Sequence, residues 1–198
     1  MTSARAFGYP VFLDLTGTRV LLVGGGLIAF RKAAGLHAAG AAITVVAPDV
    51  RDDLTELAAT VERRPYQQGE AAGYQLVMTA TDSPAVNAQV AADARAAGVW
   101  VNSADDPQNC SFILPAVARK GLVTMAISTG GASPALASRL RTDIAARELT
   151  AEVEFAAVEL SRQRDEIKQG GGSTEDIDWT DRVTQALRGD PAVQHPAE

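Results

Sequence analysis

"VLLVGGGLIAFRK", Val20 to Lys32, sets three consecutive glycines between an apolar, partly β-branched run and an alanine-rich stretch. An apolar run without alternation is what a strand covered on both faces of a parallel sheet requires. The spacing predicts a strand over Arg19–Val23, ended by Gly24, Gly25 and Gly26. The "LIAFRKAAGLHAAG" that follows is rich in helix formers, and Gly40 supplies a C-terminal stop. "AAITVVAP", Ala41–Pro48, reads as a second buried strand. Strand, glycine turn, helix and strand together fill about 30 residues, the size of one crossover unit of a parallel sheet.

The same alternation continues. "DLTELAA" predicts a short helix, "TVERRP" a short strand, and Tyr74–Thr81 a further buried strand. In "SPAVNAQVAADARAAG", Ser83 is placed as N-cap and Pro84 at the first helical position, with Gly98 closing the helix. "VWVNSA" starts another strand. The expected fold is therefore α/β, a Rossmann-type doubly wound parallel sheet. After Asp106 the pattern changes. Ser111–Thr129 reads as two antiparallel strands joined around Lys120–Gly121, and Ser133 and Pro134 open a helix. A longer polar helix, Ala151–Gln169, leads to the glycine-rich joint Gly170–Ser173, a last short helix around Trp179–Leu187 and a loose tail. This divides the chain into a nucleotide-binding domain over 1–112, a small α+β dimerisation element over 113–149 and a helical C-terminal domain over 150–198.

Composition narrows the function classes. A net charge of −6 among 198 residues argues against a general nucleic-acid binder, which needs a basic face. Cys110 is the only cysteine, so neither a disulfide framework nor a cysteine-based zinc site can form within one chain, and a reducing cytoplasm is the expected compartment. No segment approaches the ~20 apolar residues that span a bilayer, so no membrane partner is expected. His37 lies in the alanine-rich helix and His195 in the tail; neither is placed to join a metal site, and none is expected.

Gly24, Gly26 and Ala29 fit G-x-G-x-x-G/A at the required place, between a buried strand and a helix. In that pattern the first glycine permits the tight turn, the second lets a pyrophosphate approach the backbone, and the third small residue lets helix and strand pack closely. Free amides at the helix start then face the phosphates. An ordinary strand-to-helix turn is the plain alternative. Asp49, after Pro48, is the candidate ribose ligand, while Arg51 leaves a 2′-phosphate conceivable; the cofactor read here is NAD. Gly24, Gly25, Gly26, Leu27, Ile28, Pro48, Asp49 and Thr81 make up the expected cofactor set.

"VLLVGGGLIAFRKAAGLHAAGAAITVVAP", "ATDSPAVNAQV", "VNSADDPQNCSFILPA" and "ISTGGASPALASRLR" together resemble precorrin-2 dehydrogenase, the siroheme-synthesis family in which several members are also sirohydrochlorin ferrochelatases. The resemblance runs from about Tyr9 to Arg147. It implies a homodimer acting on a tetrapyrrole, with NAD as cofactor and ferrous iron as a second substrate where the chelatase activity is present. It also implies a catalytic carboxylate at Asp105, in the setting Asn102, Asp105, Pro107, Ser111, Phe112, and substrate contacts from Asn102, Ser128, Thr129 and Gly130. Asp106 is either a charge partner or a solvated loop residue, and Cys110 either a small buried hydrophobe or part of the site. Leu27 departs from the polar residue that members commonly carry after the glycines. Arg119, Lys120, Arg139, Arg141 and Arg147 could meet the substrate's carboxylates or merely line a solvated face. A chelatase or macrocycle-binding protein without the dehydrogenase step, and a non-catalytic nucleotide-sensing module, are the competing functions.

Overall fold

A computed structural model describes residues 7–104 and 106–189. Asp105, the proposed catalytic carboxylate, and the tail from 190 onward, with His195, lie outside the described residues. The chain forms two compact units, the first ending at Leu114 and the second beginning at Pro115.

In the first unit β1 (Arg19–Val23), β2 (Ala42–Val46), β3 (Thr60–Glu62), β4 (Leu76–Thr79) and β5 (Trp100–Ser103) form one parallel sheet in the order β3-β2-β1-β4-β5. The apolar run of β1 serves two cores at once, because successive side chains leave opposite faces of a strand. Val20 and Leu22 join Ile43, Val45 and Met78 beneath α1 (Leu27–Ala38), which buries Ala29, Ala33 and Leu36. Leu21 and Val23 join Val77 and Val101 beneath α3 (Pro84–Ala96), which buries Val90, Ala91 and Ala94. Helices thus cover both faces, as a doubly wound sheet requires. Each large side chain sealed this way contributes ~1.5–3 kcal/mol.

The elements between are shorter than their sequences predict. The helix expected in "DLTELAA" is the four-residue α2, Asp52–Thr55. It stops because the Ala59 N–H is drawn to the Ile43 carbonyl of β2 (2.9 Å), which pulls the chain back into the sheet. β3 ends at Glu62, where the Arg64 N–H turns back onto the Glu62 carbonyl (2.9 Å).

The second unit holds an antiparallel pair, β6 (Ala116–Lys120) and β7 (Val123–Ile127), followed by α4 (Pro134–Glu148), α5 (Ala151–Gln169) and α6 (Thr180–Leu187). The first of these strands was expected from Ser111 but starts after Pro115, which has no N–H to give a ladder. Residues 111 and 112 belong instead to the first unit. The Ser111 N–H donates to the Val101 carbonyl (2.7 Å) and the Val101 N–H to Ser111 Oγ (2.6 Å), while Phe112 packs on the core beneath α1. Among the described residues, no helix is long and apolar enough to cross a membrane.

Candidate functional site

The glycine turn is clamped from two sides. Gly24 has φ +128°, donates its N–H to the Val46 carbonyl (3.0 Å), and would set a Cβ 2.3 Å from the Ala80 carbonyl oxygen. A Cβ on Gly25 would lie 1.8 Å from the Asp49 carbonyl oxygen, and the Gly25 carbonyl itself accepts from the Arg51 N–H (3.1 Å). The turn after β1 is therefore pressed between the loops that follow β2 and β4. Gly26 is different: a Cβ there meets nothing within 4 Å, and no side chain caps α1. The start of α1 is therefore uncapped by any side chain and unobstructed at Gly26, the condition for receiving a phosphate. Ala29 is fully buried, which gives the close helix-to-strand approach the motif implies.

A cavity of about 700 Å³ opens above this turn, at the C-terminal ends of β1, β2 and β4. The strand order reverses between β1 and β4, and it is outside such a reversal that parallel sheets bind their ligands. Gly24, Gly25, Gly26, Pro48, Asp49 and Thr81 all line it. Leu27 and Ile28 occupy the first two positions of α1, about half exposed, and are not among the lining residues. Arg63 and Tyr66 line the cavity although no motif marked them. Arg63 donates from Nη1 to the Val50 carbonyl (3.1 Å), and the Tyr66 hydroxyl donates to Asp93 Oδ2 (2.8 Å). Burial, seconded by that hydrogen bond, pushes the Tyr66 phenol above its ordinary pKa, so it stays neutral.

The wall at Thr81 is set from behind by Asn87, which sequence reading passed over. Asn87 Oδ1 accepts from the buried Thr79 hydroxyl and from Thr81 Oγ1 (2.8 Å), while its Nδ2 donates to the Thr81 carbonyl (3.0 Å). Asn87→Leu keeps the bulk and removes every one of these bonds. We expect a loss of ~2–4 kcal/mol in denaturant unfolding, the scale of stranding two or so buried polar groups. A change below ~0.5 kcal/mol would show that the network does not hold the loop.

At the end of β5, Asn102 is only 6% exposed. Its Oδ1 accepts from Lys32 Nζ of α1 (2.5 Å) and its Nδ2 donates to the Phe112 carbonyl (3.0 Å), so the amide expected to touch substrate is committed to internal partners. Cys110 is buried; its Sγ accepts from the Ser103 N–H (3.1 Å) and lies within reach of the Ser103 (3.2 Å) and Asp106 (3.3 Å) carbonyls. Burial raises the thiol pKa, so Cys110 stays protonated and links the strand to its loop. Asp106 caps the 3-10 turn Pro107–Asn109 by accepting from the Asn109 N–H (3.3 Å) and side-chain amide (2.5 Å). Among the described residues, no group of three or more His, Cys, Asp or Glu could hold a metal ion.

Comparison with known proteins decides the family. A family described as "Putative NAD(P)-binding" matches residues 11–116, and one described as "Sirohaem biosynthesis protein central" matches residues 121–147. A solved structure titled SirC, precorrin-2 dehydrogenase, is 30% identical with a TM-score of 0.68, covering 91% of this chain and 87% of that one. The chain belongs to the precorrin-2 dehydrogenase family. The siroheme synthase of Pseudomonas putida is 44% identical over 163 residues, and that of Methylococcus capsulatus 44% over 139. These cover 80% and 68% of this chain but 35% and 29% of the relatives, so the chain spans about a third of the length of the curated relatives it matches.

In the part matching the family's central region, the loop between β7 and α4 carries Ser128, Thr129 and Gly130. It is built from its own hydrogen bonds: the Gly130 N–H donates to Ser128 Oγ (3.1 Å), the Ser133 N–H to Thr129 Oγ1 (2.9 Å), and Thr129 Oγ1 to the Ser133 carbonyl (3.0 Å). Of the basic residues in this unit, Lys120 lies 3.7 Å from Glu154 and Arg139 2.6 Å from Asp143. Arg141 Nη2 lies 3.3 Å from Ser138 Oγ, and Arg119 and Arg147 enter no ion pair among the described residues.

Proposed function

We propose that this chain is an NAD-dependent dehydrogenase that oxidises precorrin-2 to sirohydrochlorin in siroheme synthesis. The observation that carries the reading is the glycine turn, clamped by the Asp49 and Ala80 carbonyls and lining, with the uncapped Gly26 that precedes α1, the cavity at the strand-order reversal. Gly24, Gly25, Gly26, Leu27 and Ile28 would hold the pyrophosphate by backbone contact, Pro48 and Asp49 the adenosine ribose, and Thr81 the wall beneath the nicotinamide. NAD supplies the hydride acceptor for the oxidation. Removing a hydride and a proton from the macrocycle leaves one proton to be taken up, and Asp105 is the assigned acceptor. A doubly wound fold presents its ligands at the carboxyl ends of its strands, and β5 ends at Ser103, two positions before Asp105 in the sequence. The Asn102 amide, fixed by Lys32 and the Phe112 carbonyl, braces the strand end that leads to it.

Ser128, Thr129 and Gly130 are assigned to substrate contact, with Arg119 and Arg147 the cations open to its carboxylates. Ferrous iron is a second substrate in this reading: its entry displaces two pyrrole protons, which the same carboxylate can accept. The assembly is a homodimer. No residue of β6 or β7 is buried, α4 buries only Ala137, and Leu122 and Leu136 are more than half exposed, so this region lacks a core of its own. Light scattering at micromolar concentration is expected to give twice the 20.7 kDa chain mass, and a monomer would refute the dimer. The functional reading itself is tested by calorimetric titration with NAD. One saturable site per chain is expected, and no heat of binding would remove the cofactor from the account.

A further inference from the structure

The cofactor cavity has two arginines at the end that follows β2 and β3. Arg51 and Arg63 both line it, together with Asp49. In this fold the adenosine ribose lies beyond the end of β2, where an acidic residue favours the free 2′-hydroxyl and an arginine accepts a 2′-phosphate. Arg51 therefore has the residue type and the position to make the site accept NADP. Two of its five N–H donors, those of one edge of the guanidinium, are already taken. Nε donates to Asp53 Oδ1 (2.9 Å) and Nη2 to Asp53 Oδ2 (2.7 Å), a two-pronged pairing of the kind a phosphate would otherwise receive. The guanidinium is also held over the Phe30 ring, 5.9 Å from its centroid. Arg63 is occupied differently, by the Val50 carbonyl.

We propose that Asp53, which is not among the residues lining the cavity, determines cofactor specificity by holding the fork of Arg51 and so reserving the site for NAD against NADP. This rests on the reading of the cavity as the dinucleotide site. An ion pair whose side chains are 45% and 41% exposed is weak, so the pairing would not by itself withstand a phosphate. The discrimination comes from the sum. A 2′-phosphate that took Arg51 would leave the Asp53 carboxylate unpaired beside it and would meet Asp49 as well, adding like-charge repulsion to the lost pair. The Arg51 hydrogen bond keeps the Asp53 carboxyl below its ordinary pKa, so the block persists throughout the neutral range.

The test is a double-mutant cycle read by binding, independent of turnover. Dissociation constants for NAD and NADP are measured by calorimetric titration at one ionic strength for the unmodified chain, Asp53→Ala, Arg51→Ala and the double variant. Asp53→Ala is expected to shift the NADP-to-NAD affinity ratio toward NADP by about tenfold or more, the scale of one charge-assisted hydrogen bond gained. The double variant is expected to lose that gain. An unchanged ratio in Asp53→Ala overturns the proposal, as does a gain that survives removal of Arg51, which would make Asp53 a simple repulsive charge. Asp53→Asn, close to isosteric, is the second variant should alanine disturb α2. If the unmodified chain fails to bind NAD, the site assignment fails and the proposal with it; binding of NAD with an unshifted ratio in both variants overturns the specificity role alone.

Discussion

Replacing Gly25 by alanine is expected to abolish NAD binding and to lower the unfolding free energy by ~3 kcal/mol or more. The added methyl would sit 1.8 Å from the Asp49 carbonyl oxygen, with the Val50 Cα at 2.9 Å, so backbone rather than a flexible side chain must move. Forced repacking at a tight site costs ~1–3 kcal/mol, and here the hydrogen bond from the Arg51 N–H to the Gly25 carbonyl is lost with it. Gly26→Asp separates binding from stability. Its side chain enters open space, so the protein stays folded, while a carboxylate at the uncapped start of α1 takes the place of the phosphate. Thermal unfolding and NAD titration on both variants check this. A Gly25→Ala protein as stable as the parent would show that the clamp is looser than its geometry, and unchanged NAD affinity in Gly26→Asp would move the cofactor elsewhere.

Asp105→Ala is expected to leave folding and NAD affinity intact while slowing precorrin-2 oxidation by ~100-fold or more, the usual scale for removing a general base. Asp106→Ala is the matched control. Its carboxylate caps the turn Pro107–Asn109, so the loss expected is ~1 kcal/mol of stability with a much smaller effect on rate. Single-turnover kinetics on the two variants distinguish these roles. If the Asp105 variant oxidises at the normal rate but fails to insert iron, the carboxylate serves chelation alone; if neither activity changes, position 105 is a turn former.

The sheet was legible because β1, β2 and β4 are buried on both faces and must read as unbroken apolar runs, and because Ser83 and Pro84 mark a helix start that depends on local chemistry alone. The glycine turn was legible for the same reason, except at its middle. The motif leaves that position free, whereas here Gly25 faces a carbonyl from a loop more than twenty residues onward, which no local pattern records. Asn87 was missed because a polar residue in a helix reads as solvent-facing until a neighbouring loop supplies partners for its amide. Asn102 shows the reverse. Its type fits substrate contact, but its amide is tied to Lys32, 70 residues away in sequence. The start of β6 was misplaced because the apolar "SFIL" looks like strand, whereas Ser111 is bonded to Val101 and Phe112 packs on the core beneath α1.

The central claim is most directly tested by mixing the purified chain with precorrin-2 and NAD in the absence of metal and following NADH and sirohydrochlorin together. The account predicts that both appear in equal amounts, that the rate is proportional to enzyme, and that Gly26→Asp abolishes it. Sirohydrochlorin formed without NADH, or no oxidation by a folded chain that binds NAD, would contradict it.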